Sequence, residues 1–237
     1  MHEHLPHPTD DENELEKRWF KKEFFPRICV QEFLNIAVNL REGEHNCRFG
    51  QRISGTLHVL IFIDFDDGLQ WVVKIPKWDV DGGGENMFLK SEYATLVFLQ
   101  KIETIPTPRV YGTSFTSNNP TKTPYYIMEK LPGLPLYQAV RENEFEKEAV
   151  FEMLRQMAQV RKTLARHIWH QIGSLSISRD GKCVVVGKQL TDSNYHDGWS
   201  IIRTSPGPFS SSLRYYANLL QESWSEVQKT LPESENA

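Results

Sequence analysis

The chain has 237 residues, with 27 Lys and Arg against 31 Asp and Glu for a formal charge of -4. At roughly 150 residues per domain this length allows one large domain or two lobes sharing a cleft, and without a basic stripe to neutralise phosphates, nucleic acid is not an expected partner. Three scattered cysteines, Cys29, Cys47 and Cys183, suit neither a zinc site nor a disulfide scaffold and point to a reducing compartment.

The first 13 residues are polar and read as a mobile tail; His2, His4 and His7 are taken as part of it rather than as a chelate. The tail is too acidic for a transit peptide and lacks the apolar stretch of a signal peptide. The longest aliphatic and aromatic run, Val59 to Ile63, is far short of the roughly 18 residues that suggest a membrane span. The expectation is a soluble cytoplasmic protein that engages no membrane.

Residues 14–44 form a helical lead-in, two helical stretches divided at Pro26, with Phe33, Ile36, Ala37 and Leu40 at the spacing of one helical face. From Cys47 to Pro76 the period becomes extended. Val59, Ile61 and Ile63 alternate with Leu60 and Phe62 in a strand apolar on both faces, Asp67-Gly68 supplies the positive φ angles of a tight hairpin, and Trp71 to Pro76 returns antiparallel. Lys74 shares a strand face with Val72, while Trp71, Val73 and Ile75 point the other way. That arrangement suits a purine over Val72 and phosphates at Lys74. Asp64, Asp66 and Asp67 are a solvated strand end, not a metal site.

After a loop with Gly82, Gly83 and Gly84, the spacing predicts a helix over Asn86 to Lys101 carrying Glu92, stopped by Ile105-Pro106-Thr107-Pro108. Strands follow at Arg109 to Phe115 and Tyr125 to Met128. Leu131-Pro132-Gly133 ends the last strand, and residues 132–237 read as mainly helical, with a helix from about Phe145 to His170 and a β-hairpin near 174–187. His167 and His170 on that helix have no evident third ligand. A last helix, over residues 209–231, carries an apolar stripe of Leu213, Tyr216, Leu219, Leu220, Trp224 and Val227 and needs a partner, supplied by the chain folding back, by another protein or by dimerisation.

Several motifs together resemble the fungal branch of the aminoglycoside phosphotransferase family, relatives of protein kinases. They are Asp67-Gly68 with Trp71-Val72-Val73-Lys74-Ile75-Pro76, Ser91-Glu92-Tyr93-Ala94-Thr95, Thr104-Ile105-Pro106-Thr107-Pro108-Arg109-Val110-Tyr111, and Pro124-Tyr125-Tyr126-Ile127-Met128-Glu129-Lys130-Leu131-Pro132-Gly133. Weaker echoes are Ile172-Gly173-Ser174-Leu175 and Gly207-Pro208-Phe209-Ser210, so the similarity spans roughly Arg41 to Leu220.

The resemblance implies an α+β fold: a protein-kinase-like N-lobe at 45–131, a five-stranded antiparallel sheet plus one helix, followed by an incomplete helical C-lobe at 132–237. It also implies ATP as cofactor. A lysine reaching the α- and β-phosphates supplies fixed positive charge, which assigns Lys74, with Glu92 on the facing helix to orient it. Adenine would be read on the segment Met128, Glu129, Lys130 and Leu131, beside Val72. Ser54-Gly55-Thr56 would cover the phosphates, since glycine lets backbone amides approach an anion. The family has an asparagine three residues after that glycine; here the position is His58.

The family's catalytic loop, H-G-D-x-x-x-x-N, and its metal-binding aspartate are missing. The last histidine and aspartate are His196 and Asp197, with Ile202 at the asparagine spacing, and residues 198–237 hold no aspartate. No catalytic residue and no Mg2+ site are therefore assigned, since both contribute heavily to phosphoryl transfer. Three readings follow: a shortened ATP-dependent phosphotransferase for a small hydroxylated molecule, nearly inert alone; a non-catalytic, pseudokinase-like binding module; or an unrelated α+β scaffold that matches the motifs by chance.

Overall fold

The computed structural model describes residues 13–77, 84–102, 104–142, 146–181, 183–193, 201–204 and 206–230. Residues 1–12 of the tail expected over 1–13 lie outside them, as do Gly82-Gly83; Asn13, its last residue, caps a helix instead. The chain divides into two compact units, Met1–Val160 and Arg161–Ala237.

The first unit begins with α1 (Glu14–Trp19), whose N-terminus is closed by a capping box: the Asn13 side chain accepts the Glu16 amide at 3.0 Å. A π-turn (Phe20–Phe24) and a 3-10 turn (Phe25–Arg27) containing Pro26 follow, then α2 (Glu32–Leu40). The expected break at Pro26 is present. Five strands, β1 (Cys47–Ser54), β2 (His58–Phe65), β3 (Gln70–Pro76), β4 (Val110–Ser114) and β5 (Tyr125–Glu129), form an antiparallel sheet in the order β1-β2-β3-β5-β4. In sequence α3 (Met87–Gln100) falls between β3 and β4. The chain is thus α+β, with the anticipated order of three strands, helix and two strands.

The β2–β3 turn differs in detail from the expectation. The positive φ falls on Gly68 alone, at 87°, with Gly68 donating to the Phe65 carbonyl at 3.1 Å and Phe65 to the Leu69 carbonyl at 2.9 Å. This is a three-residue loop with glycine in the left-handed position. Asp67 keeps a negative φ and uses its carboxylate to accept from Arg41 and from the Leu69 amide.

The period-2 pattern of the strands decides where the core lies. Val59, Ile61, Ile63, Trp71, Val73, Ile75 and Ile127 are at most 2% exposed, and they pack with Phe20, Phe24, Phe33 and Ala37 of the helical lead-in. The lead-in therefore covers one whole face of the sheet. Of its expected apolar face, Phe33 and Ala37 are buried, whereas Leu40 is 41% exposed.

Past β5, a short α4 (Leu136–Glu142) precedes α5 (Lys147–Leu164). The sequence reading lacked α4; its signal is Pro135, whose carbonyl accepts from Gln138 and Ala139 at 3.0 Å each, a proline at the start of a helix. α5 also ends six residues before the expected His170. There the bonds shorten to Arg166–Thr163 and His167–Leu164, a tightened last turn.

In the second unit β6 (Leu175–Ile177) and β7 (Val184–Val186) form the hairpin expected near 174–187. A further pair, β8 (Leu190–Ser193) with β9 (Ile201–Thr204), was not anticipated. Ile172 and Phe209, from the two weakest motif echoes, exchange backbone hydrogen bonds of 2.9 and 2.8 Å. The last helix, α6 (Ser212–Thr230), begins three residues after the expected Phe209, which the bridge to Ile172 holds outside the helix. Among the described residues no helix is long and apolar enough to cross a membrane.

Phe24 is fully buried among Trp19, Phe20 and Phe25. The Phe24→Ala substitution should cost about 3–5 kcal/mol, read as a lower urea midpoint with an unchanged slope.

Candidate functional site

Since the lead-in occupies one face of the sheet, the other face is available to bind. Cross-strand register sets its pattern: Leu60 lies opposite Lys74, Phe62 opposite Val72 and Asp64 opposite Gln70, while on the next strand Tyr126 pairs with Lys74 and Met128 with Val72. Paired residues of an antiparallel sheet point to the same side. This one face therefore carries a cation at one end, apolar side chains in the middle and polar groups at the other end.

At the cationic end the Lys74 ammonium donates to Glu92 Oε2 at 2.7 Å, with the two side chains 19% and 36% exposed. The same oxygen lies 3.4 Å from the Tyr126 hydroxyl and 3.8 Å from His58 Nε2, and the ammonium is 5.6 Å from the centre of the Tyr126 ring. A charge-assisted bond between half-buried partners is stronger than its surface equivalent. Burial, and then the neighbouring Lys74 charge, hold the His58 imidazole down at about 4 despite the opposing pull of Glu92. His58 is therefore neutral at physiological pH. Burial, with Glu92 adding to it, pushes the Tyr126 phenol up, so it acts as a donor.

The middle of the face opens into a cleft of about 960 Å³ whose apolar lining includes Leu60, Phe62, Val72 and Met128. Its polar end is a chain of contacts: Lys130 Nζ donates to Gln70 Oε1 at 2.6 Å, and Gln70 Nε2 donates to Asp64 Oδ1 at 2.6 Å. Gly50 completes this end, since a Cβ there would stand 2.8 Å from Asp64 Oδ2. A β-bulge between Phe49 and Arg52 brings Gly50 and Gln51 to the cleft.

Of the residues expected to form the site, Val72, Met128, Glu129, Lys130 and Leu131 line this cleft. Lys74 and Glu92 meet each other, just beyond the Leu60 end of the cleft and outside its lining. Ser54 pairs with Val59 and so belongs to the core face, where its hydroxyl is buried without a hydrogen-bond partner. The Gly55 amide closes the β1–β2 hairpin onto the His58 carbonyl at 2.9 Å, and Thr56 is exposed in the turn. The loop expected over the phosphates thus brings no side chain to the cleft. Backbone amides in the segment expected to read adenine are also occupied, Glu129 by the Arg109 carbonyl at 2.8 Å and Lys130 by the Gln70 carbonyl at 3.3 Å.

Sequence reasoning missed Gly50, Asp64 and Gln70 as residues of the cleft. Gly50 carried a signal, because a glycine inside a strand marks a bulge or a close approach. Among the described residues one group, His45, Asp66 and Asp67, has three side chains with ligand atoms within 4.8 Å. It sits at the β2–β3 turn, where Asp67 is held at about 2 by Arg41 and Asp66 accepts from the Asn46 amide at 3.0 Å. Those carboxylates serve the turn.

No family model matches this chain, and neither does any curated protein or solved structure.

The folded His58 has a lower pKa than the ordinary 6.5, so the unfolded chain takes up the proton first. Stability held by the neutral ring is complete above pH 6.5 and is lost as the pH falls toward about 4. Urea midpoints measured between pH 7.5 and 4.5 should fall more steeply for the wild type than for His58→Gln.

Proposed function

We propose that the first unit is a nucleotide-binding, protein-kinase-like N-lobe of the aminoglycoside-phosphotransferase kind that the motifs resemble, with ATP as its ligand. One observation carries this reading: a strand lysine and a helix glutamate far apart in sequence meet at 2.7 Å on the sheet face that bears the cleft. Lys74 lies two residues along β3 from Val72, roughly 7 Å at the rise of a strand, so a base on the apolar floor would direct its phosphates toward the ammonium. The cleft volume of about 960 Å³ falls within the range of small-molecule sites.

The fit is incomplete for the metal. Among the described residues the three-ligand group lies at the β2–β3 turn, and Glu92 is committed to Lys74. Magnesium would enter as part of the nucleotide complex rather than in a protein cage. Phosphoryl transfer to a small-molecule hydroxyl is the activity that the resemblance implies, and the residues for its catalytic step are not among those of the cleft.

A second reading, a non-catalytic pseudokinase-like binding module, is favoured by the apolar side chains that the helices present. Phe151 on α5 is 69% exposed and Leu220 on α6 is 72% exposed.

Titrating Mg2+ and ATP against the full chain while following thermal unfolding separates the two. At a hundredfold excess over Kd, binding stabilises the fold by about 2.7 kcal/mol, a rise of several degrees for a chain of this size. Lys74→Ala should weaken the affinity tenfold or more. Equal responses from both chains would place the nucleotide elsewhere, and no response from either would favour the binding module.

A further inference from the structure

The last helix is docked by the face that composition would least suggest. Tyr215, Asn218, Leu219 and Glu222 are its half-buried residues; the Tyr215 ring packs 5.7 Å from Phe209 and its hydroxyl accepts from Gln189 at 3.3 Å. Leu219, expected on the apolar stripe, belongs to this docked side. The opposite side presents Leu213, Tyr216, Leu220, Trp224 and Val227 at 78%, 61%, 72%, 62% and 47% exposure. The other exposed positions on it are Ala217 and Ser223, and no charged residue falls on it.

The spacing of this stripe is a palindrome. Leu213 and Val227 are equidistant from Leu220, as are Tyr216 and Trp224, and as are the small residues Ala217 and Ser223. An antiparallel two-fold pairing of identical helices maps each member of such a set onto another, the condition for a self-complementary interface. We propose that α6 is a self-association surface on which a second copy of this chain docks antiparallel, with the axis at Leu220, Leu213 against Val227 of the other copy and Tyr216 against its Trp224.

Area supports the second copy as occupant. The five large side chains expose on the order of 600 Å² per chain. Mutual burial would thus remove about 1,200 Å² from water, which reaches the range of stable interfaces. Ala217 and Ser223 let the backbones approach. The stripe of α5 differs in chemistry rather than in spacing: Arg161 stands one helical turn beyond Met157, and an antiparallel pairing about Leu154 and Met157 would place its charge against Val150.

The test is made on the full chain in a Cys183→Ser background, since Cys183 is exposed, with oxidised glutathione as the oxidant. Leu220→Cys should give a disulfide-linked dimer. Leu213→Cys alone should not, whereas Leu213→Cys mixed with Val227→Cys should. Sedimentation equilibrium should show a dimer at micromolar concentration that Leu220→Glu weakens at least tenfold while leaving the circular dichroism and the Tm of the dissociated chain unchanged. A monomer at tens of micromolar would overturn the proposal. Self-linking of Leu213→Cys, which signals parallel helices, would do the same, as would a lowered Tm of monomeric Leu220→Glu, which signals a stripe covered by its own chain.

Discussion

Everything in the first unit depends on the burial of one face of the sheet beneath an aromatic lead-in. Phe20, Phe24 and Phe33 cover Val59, Ile61, Val73, Ile75 and Ile127, removing both surfaces from water at once, the dominant favourable term in folding. Cations border the aromatics: the Arg52 guanidinium stands 4.5 Å from the centre of the Phe20 ring, and the Lys77 ammonium 5.4 Å from that of Trp19. Because strand side chains alternate, committing odd-numbered positions of β2 and β3 to this core commits Leu60, Phe62, Val72 and Lys74 to the opposite face. The candidate site follows from the packing of the lead-in.

On that opposite face a single carboxylate ties a helix to the sheet. α3 buries only Leu89 and Ala94 among its described residues, so packing alone holds it lightly, and Glu92 adds a bond to β3 with Lys74 and one to β5 with Tyr126. A further tether is at its start, where buried Asn86 accepts the Leu89 amide through its side chain at 2.9 Å and donates its own amide to the Phe115 carbonyl at 2.6 Å. The pair that would orient a phosphate-binding lysine thus also joins the helix to the sheet. Neutral His58 beside it adds no competing cation.

The cleft and the ion pair are adjacent but not merged. The apolar floor around Val72 and Met128 leads to the Lys74 end along the strand, while the Lys130–Gln70–Asp64 chain closes the far end. A ligand with a flat apolar body and a polyanionic tail matches this order of groups; an acidic peptide or a purely apolar molecule would use only part of it.

Local pattern alone determined the strands of the first unit, the position of the turn at Gly68, the helix opened by Asn86 and the face shared by Val72 and Lys74, because alternation, turn chemistry and capping act over a few residues. The short α4 behind Pro135 carries such a local signal as well. Only the tertiary structure decided which face of the sheet the lead-in would cover, that Glu92 would reach Lys74 rather than solvent, and that Asp64, Gln70 and Gly50 would close a cleft with Lys130. Those outcomes depend on pairing register and on packing between segments far apart in the chain. Ser54 shows the difference most plainly: its sequence neighbours suggested an anion loop, but its register opposite Val59 turns its side chain to the other face of the sheet, since a shift of one position in a strand reverses the side from which a residue can act.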